Sequence, residues 1–203
     1  MKGMADMEDL GKLERQLAKC GYLVRIFENS TQVIREISRI TKAKKVGFGS
    51  SQTVAEIGLI DEIRPSAAAL FLHEPGQAGE SERNALASDM YITSANALSM
   101  NGEIVNIDGT GNRVGATCFG PREVIYIIGE NKIVDNLDSA LHRAKETAIK
   151  LAAKHKRNTP CVRTGRCSHC YSAECVCSIT TIHRKQPFGV KVRVFVVKEH
   201  LGL

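Results

Sequence analysis

EVIYII (residues 123–128) and, after a short turn, NLDSALHRAKETAIKLAAKH (136–155) decide the fold class. After Glu123 the first is an unbroken apolar run, too short for a helix and rich in strand formers, as expected of a strand buried on both faces. The second places Leu137, Ala140, Leu141, Ala144, Ala148 and Leu151 on one side of a long helix. A doubly buried strand handed on to an amphipathic helix is the repeating unit of a parallel sheet covered on both faces.

The same alternation extends upstream. Leu10, Leu13, Leu17 and Cys20 mark a helix from about Met7 to Cys20, closed by Gly21, and Tyr22–Phe27 follows as a strand. Ser30 is an N-cap candidate for a helix presenting Val33, Ile34, Ile37 and Ile40. Lys45–Gly49 is a strand entering a tight turn, Ser50–Ile57 the helix it feeds, and Gly58 its end. Ala67–Leu72 is strand-like, Glu80–Ser88 helical, and Asp89–Thr93 another strand. Glu103–Ile107 forms a strand after a turn at Asn101-Gly102, and Val190–Val197 alternates as a closing strand. The expectation is one α/β domain over residues 1–203, with a mainly parallel sheet flanked by helices. A Cys-rich segment at about 158–180 is read as a loop inserted before the last strand.

That segment holds Cys161, Cys167, Cys170, Cys175 and Cys177, five of the seven cysteines, among Gly, Ser, Thr and Arg that build no apolar core. A disulfide framework is the competing reading, but the cysteine count is odd. The opening MKGMADMEDLGKLERQLAKC is charged and amphipathic, without the apolar stretch of a secretory signal. The chain is therefore expected in a reducing cytoplasm, where thiols serve metals more often than disulfides. Cys161, Cys167, Cys170 and Cys177 are the candidate ligands. Zinc and a 4Fe-4S cluster stay equally open, since four thiolates leave a net charge of about −2 on either. Arg163, Arg166 and His169 would offset that charge. Cys20 and Cys118 sit in apolar patterns and are read as small buried hydrophobes.

Three further segments carry polar chemistry. In VGFGSSQT (46–53), Gly47 and Gly49 let the main chain turn, and Ser50, Ser51 and Thr53 open a helix, an arrangement that offers donors to an anion or merely caps the helix. Neither a Walker loop nor a full dinucleotide fingerprint is present. In NIDGTGNRVGA (106–116), Asp108, Gly109, Gly111, Asn112 and Arg113 follow a strand at the carboxyl edge where α/β sheets bind ligands. Asp108 is a candidate base, hydroxyl ligand or turn residue. Asn112 can cap the following helix. Arg113 can clamp a carboxylate or phosphate, or pair with Asp108 or Glu103. Asp108 and Arg113 are the candidate catalytic residues. In TSANAL (93–98), read as a loop, Ser94 and Asn96 would line the same edge. No Ser-His-Asp arrangement is evident among the six histidines, of which only His73 and His183 could approach these loops.

Composition narrows the partners. The net charge is +6, but the basic residues are dispersed. The densest run, Lys150 to Arg166, has no interleaved aromatic, and the chain has no Trp, which speaks against nucleic acid. No apolar run reaches the roughly 18 residues that would span a membrane.

VGFGSSQTVAEIGL, DMYITSANALSMNGEIVNIDGTGNRVGATCFGP, EVIYIIGENKIV and TPCVRTGRCSHC with CVC together resemble the LUD-domain family of lactate-utilisation proteins, over roughly Lys12 to Leu201. The resemblance implies a fold of the NagB/ribose-5-phosphate-isomerase/CoA-transferase type, whose strand-to-helix loops bind phosphorylated or acyl substrates. It implies a place near L-lactate oxidation, beside iron–sulfur partner proteins. The cysteines resemble a stand-alone branch in which the last ligand matches Cys177, leaving Cys175 as an extra. The paired CxxCxxCxxxC runs of the larger lactate-utilisation subunit are absent from this sequence, and a shared fold does not transfer a reaction. The expectation is a protein that binds a small anionic metabolite and carries an iron–sulfur cluster or zinc, with a redox partner protein. A non-catalytic accessory subunit of a dehydrogenase complex, with structural zinc, is the alternative, and a homo-oligomer is compatible with either.

Overall fold

The computed structural model describes residues 7–73 and 79–203. The first six residues of the opening stretch, on which the expectation of no secretory signal partly rests, lie outside the described residues. Along the chain run α1 (Met7–Lys19), β1 (Leu23–Phe27), α2 (Ser30–Ile40), β2 (Lys45–Phe48), α3 (Gln52–Glu56), α4 (Leu59–Ile63) and β3 (Ala69–Phe71). Next come α5 (Glu80–Leu86), β4 (Met90–Thr93), β5 (Ala97–Ser99), β6 (Ile104–Asp108), α6 (Asn112–Cys118) and β7 (Glu123–Gly129). A 3-10 turn (Glu130–Lys132) leads into β8 (Ile133–Val134), and α7 (Leu137–Lys154), α8 (Pro160–Thr164), β9 (Ile179–His183) and β10 (Lys191–Val197) complete the order.

Six strands form a parallel sheet in the order β1-β10-β7-β4-β2-β3. EVIYII lies near its middle, where alternate side chains enter two cores. Val124, Tyr126 and Ile128 face a core shared with Leu10, Leu13 and Leu17 of α1, while Ile125 and Ile127 face Val33 and Ile37 of α2 and Leu59 and Ile63 of α4. Every one of these side chains is nearly or fully buried, and each such burial stabilises by about 1.5–3 kcal/mol relative to exposure. Among the described residues, no helix is long and apolar enough to cross a membrane.

A second, four-stranded sheet, β8-β5-β6-β9, was not anticipated. Its strands β5 and β9 are short or amphipathic stretches inside segments read as loops: TSANAL supplies Ala97 and Leu98 to β5, and the Cys-rich segment runs directly into β9. β6 pairs antiparallel with both β5 and β9. The expected placement of residues 106–116 at the carboxyl edge of the parallel sheet therefore does not hold; Asp108 ends a strand of the smaller sheet. Ala140, Ala144 and Ala148 of α7 pack on that sheet against Ala97, Val105 and Ile107, and the small side chains let helix and sheet approach closely.

Other differences are local. Asn29, not Ser30, caps α2, its side chain accepting from the Gln32 N–H. The helix expected over Ser50–Ile57 is the shorter α3, and Gly58, with a positive φ of 68°, follows its end as expected; α4, directly after that glycine, was not anticipated. The Cys-rich segment contains α8, with Pro160 at its first turn and Gly165 closing it. Cys118 is exposed rather than buried, its thiol 3.7 Å from His183 Nε2, and Cys20 is only partly buried.

Candidate functional site

Two parallel strands, β2 and β4, end beside one another and release Gly49–Thr53 and Ser94–Asn96 into the same region. The turn after β7 brings Lys132 to meet them. Lys132 is 4% exposed, and its Nζ donates to Thr53 Oγ1 at 2.7 Å and Ser94 Oγ at 3.0 Å. No carboxylate is paired with it among the described residues. Burial, reinforced by the Arg143 and Arg113 charges, brings its pKa down to about 7, with Glu56 opposing at longer range.

Arg113, the second residue of α6, reaches back under the ends of these strands. It donates to Asn106 Oδ1 at 2.9 Å, to the Ile107 carbonyl at 2.6 Å and to Asn96 Oδ1 at 3.4 Å, with Asp108 Oδ2 at 3.8 Å. Gly49 makes room for it: a Cβ there would lie 2.9 Å from Tyr91 Oη and 3.0 Å from Arg113 Cγ. Arg143 comes from α7, donating to the Asn131 carbonyl at 3.1 Å and also to the Asn96 carbonyl. Desolvation lowers its pKa, yet it carries no carboxylate partner at contact distance among the described residues.

Lys132, Arg113, Ser50, Ser51, Ser94 and Asn96 line a narrow cleft of about 60 Å³, bordered by Thr147 and Leu151 of α7 and by Leu203. The candidates of the 46–53 and 93–98 segments thus converge, with differing roles. Ser50 is exposed at the mouth. The Ser51 side chain caps α3 by accepting from Val54 N–H, and α3 is a single short turn, so its N-terminus is no anion site by itself. Thr53 is buried as the acceptor for Lys132. Gly47 serves packing instead, since a Cβ would lie 2.8 Å from Ala85 of α5. Asn96 lines the cleft but works as a brace, its backbone N–H donating to Asn106 Oδ1 and its side-chain oxygen accepting from the Ile107 N–H.

The 106–116 segment faces a second, wider cleft that shares Ser50 and Leu151 with the first. It is lined by Asp108, Gly109, Thr110 and Asn112, and by His73 and Glu82, which contact each other. Asp108 is committed to the backbone: one carboxylate oxygen accepts from Thr110 N–H and the other from Val114 N–H. It thereby caps α6, the role foreseen for Asn112, while Gly111 supplies the left-handed turn before the helix with φ 94°.

The cysteines gather on one cavity. Cys161, Cys167, Cys170, Cys175 and Cys177 line a small pocket of about 30 Å³ against Lys145, Ala148 and Ala152 of α7. Burial first, then the neighbouring Cys175, Cys167 and Cys170, push the Cys177 thiol up to about 11. Among the described residues, no three His, Cys, Asp or Glu side chains stand close enough to hold a metal ion. The donor chemistry of the pocket suits a soft metal; its spacing is wider than a closed coordination shell.

Lys132 and Arg143 escaped sequence reasoning. Both left a trace in the pattern: Lys132 stands in GENKIV beside apolar residues, and Arg143 falls on the apolar stripe of α7, one turn from Ala140 and Thr147. A cation on a buried face is a signal in its own right.

A family model, the LUD domain, matches residues 10–197, nearly the whole chain. The crystal structure at 1.70 Å resolution of a DUF162-family protein from Deinococcus radiodurans is similar, with a TM-score of 0.55 at 16% identity, covering 94% of this chain and 96% of that one. At that identity the likeness shows the fold alone. Comparison with curated proteins gave no match. The chain belongs to the LUD-domain family.

Proposed function

Starting from that membership, we propose that this chain binds a small carboxylate metabolite in the cleft between Lys132 and Arg113, in a fold of the NagB/ribose-5-phosphate-isomerase/CoA-transferase type, as part of cytoplasmic lactate or related redox metabolism. The observation that carries the reading is the convergence of Lys132 and Arg113 with the hydroxyls of Ser50, Ser51 and Ser94 on one cleft, where the buried ammonium has no carboxylate partner among the described residues. A buried cation left without a counter-ion favours an incoming anion, because the anion restores the charge balance that burial denies. So narrow a cleft favours a metabolite of a few carbon atoms over a nucleotide.

The Cys161, Cys167, Cys170 and Cys177 thiols are proposed as ligands of an iron–sulfur cluster or zinc. A cluster would supply electron transfer to a redox partner protein; zinc would clamp the segment between α7 and β9. The accessory-subunit reading keeps one specific support: the inner cleft is lined by no acidic or imidazole side chain among the described residues.

Thermal unfolding with lactate, pyruvate, inorganic phosphate and acetyl-CoA tests the reading. Stabilisation by the short carboxylates, lost in Arg113→Ala, is expected. Stabilisation by none of them would overturn it.

A further inference from the structure

We propose that Lys132 captures the carbonyl carbon of a 2-oxo acid as a Schiff base while Arg113 holds its carboxylate. The inference rests on the carboxylate reading of the same cleft and adds to it a covalent step and a substrate class.

The two cations of the cleft are held in different ways. Arg113 is clamped by the Asn106 side chain and the Ile107 carbonyl, with Asp108 beside it, so its charge and position are fixed. Lys132 is held by two neutral hydroxyls, Thr53 and Ser94, each able to accept or donate. With a pKa near neutrality the group is an ammonium that welcomes an anion in part of the population and a free amine in the rest. A buried amine tethered by hydroxyls is disposed to lose its proton and act as a nucleophile. Its depressed pKa, near 7, agrees with that disposition.

The segment after β10 packs against the amine, where a Cβ on Gly202 would lie 3.2 Å from Nζ and 2.5 Å from Thr53 Oγ1. Lys132 and Arg113 line one cleft, which Leu203 of that segment borders. A substrate with a carboxylate next to a carbonyl presents the first to the Arg113 guanidinium and the second to the Lys132 amine. A 2-hydroxy acid offers the carboxylate but no electrophile.

The step balances without oxidant or reductant. Nζ bonds the carbonyl carbon, a proton passes from nitrogen to the former carbonyl oxygen, and that oxygen leaves as water when the nitrogen gives up its remaining proton and forms the C=N bond. The Ser94 and Thr53 hydroxyls touch Nζ and each other, at 3.3 Å, and can relay these protons.

The test uses the full chain with pyruvate and sodium cyanoborohydride, which reduces an imine to a stable secondary amine. Peptide mass mapping should place the adduct on Lys132, at roughly tenfold or more above any surface lysine, whose amine is almost wholly protonated at neutral pH. Lactate should suppress the labelling by competition, and Lys132→Arg, which keeps the charge, should abolish it. Adducts absent or scattered over surface lysines, while lactate and pyruvate still protect against thermal unfolding, would overturn the covalent step and leave the carboxylate site standing. No protection by either acid would overturn both.

Discussion

Lys132 Nζ lies 2.7 Å from Thr53 Oγ1, both side chains buried, although they belong to connections after different strands of the parallel sheet. The contact ties the turn after β7 to α3 across the end of β4. Thr53→Val keeps the shape and removes the acceptor, so the chain should lose about 1–3 kcal/mol of stability, the cost of an under-satisfied buried donor. Thr53→Ser should lose less. Urea unfolding of the three proteins checks the order.

The lowered Lys132 pKa makes stability depend on pH with a definite sign. The folded chain releases this proton near 7, whereas an unfolded lysine holds it to about 10.4. Between those values the unfolded chain binds the extra proton, so the group's contribution to stability rises with pH from about 7 to 10 and is flat below. Arg143 and Arg113 lower the value and Glu56 raises it. The unfolding free energy of the wild type relative to Lys132→Met should therefore climb as pH rises above 7. A pH-independent difference would show that the amine is not displaced from its ordinary range.

Gly49 and Gly115 make a paired test of space. A methyl group at Gly49 would press on Tyr91 and Arg113, whereas at Gly115, inside α6, it meets nothing within 4 Å. Gly49→Ala should destabilise by about 1–3 kcal/mol through overpacking. It should also weaken carboxylate protection by displacing Arg113. Gly115→Ala should stabilise by about 0.5–1 kcal/mol and leave protection intact. Thermal melts with and without lactate separate the two effects.

Asp108 separates a capping role from a catalytic one. Both its oxygens accept backbone N–H groups at the start of α6. Asp108→Asn retains one acceptor and should cost about 1 kcal/mol, within the range for a helix cap, while ligand protection persists. Loss of protection with unchanged stability would assign the carboxylate to the ligand instead.

The cysteine pocket predicts graded metal retention. In protein purified without oxygen, Cys167→Ser and Cys170→Ser should lose metal and lower the melting temperature, since metal binding here is partly folding free energy. Cys175→Ser should lose little if Cys177 is the fourth ligand. Metal analysis and the visible spectrum distinguish iron with sulfide from zinc, and equal loss in the Cys175 and Cys177 variants would remove the distinction between them.

Legibility in the sequence followed the strength of periodic signals. EVIYII and the α7 stripe were plain because continuous apolar character and a sustained helical period are local properties. The parallel six-stranded sheet followed from their alternation. β5 and β9 escaped because three residues, Ala97–Ser99, carry no period, and because ITTIH reads as polar as often as apolar. Their identity is tertiary: β6 lies between them and supplies the hydrogen bonds. In the site, the hydroxyls of 50–53 and Arg113 were visible as turn chemistry. Lys132 was not, because only the folded chain brings Thr53 and Ser94 to it. Gly47 was misread for the same reason: the atom it makes room for, Ala85, belongs to a distant helix.

The order β1-β10-β7 has a consequence for synthesis. β1 pairs with β10 alone, and β10 occupies the gap between it and the rest of the parallel sheet. A nascent chain leaving the ribosome therefore carries its first strand without a sheet partner until the tenth has emerged, with one flank of β7 equally bare. β1 waits from residue 27, and the flank of β7 from residue 129, until β10 is made at 191–197, an interval in which chaperone capture or edge-to-edge association is favoured. Closure comes as a late, long-range event, and the rate of folding is expected to be set by the seating of β10 rather than by any helix.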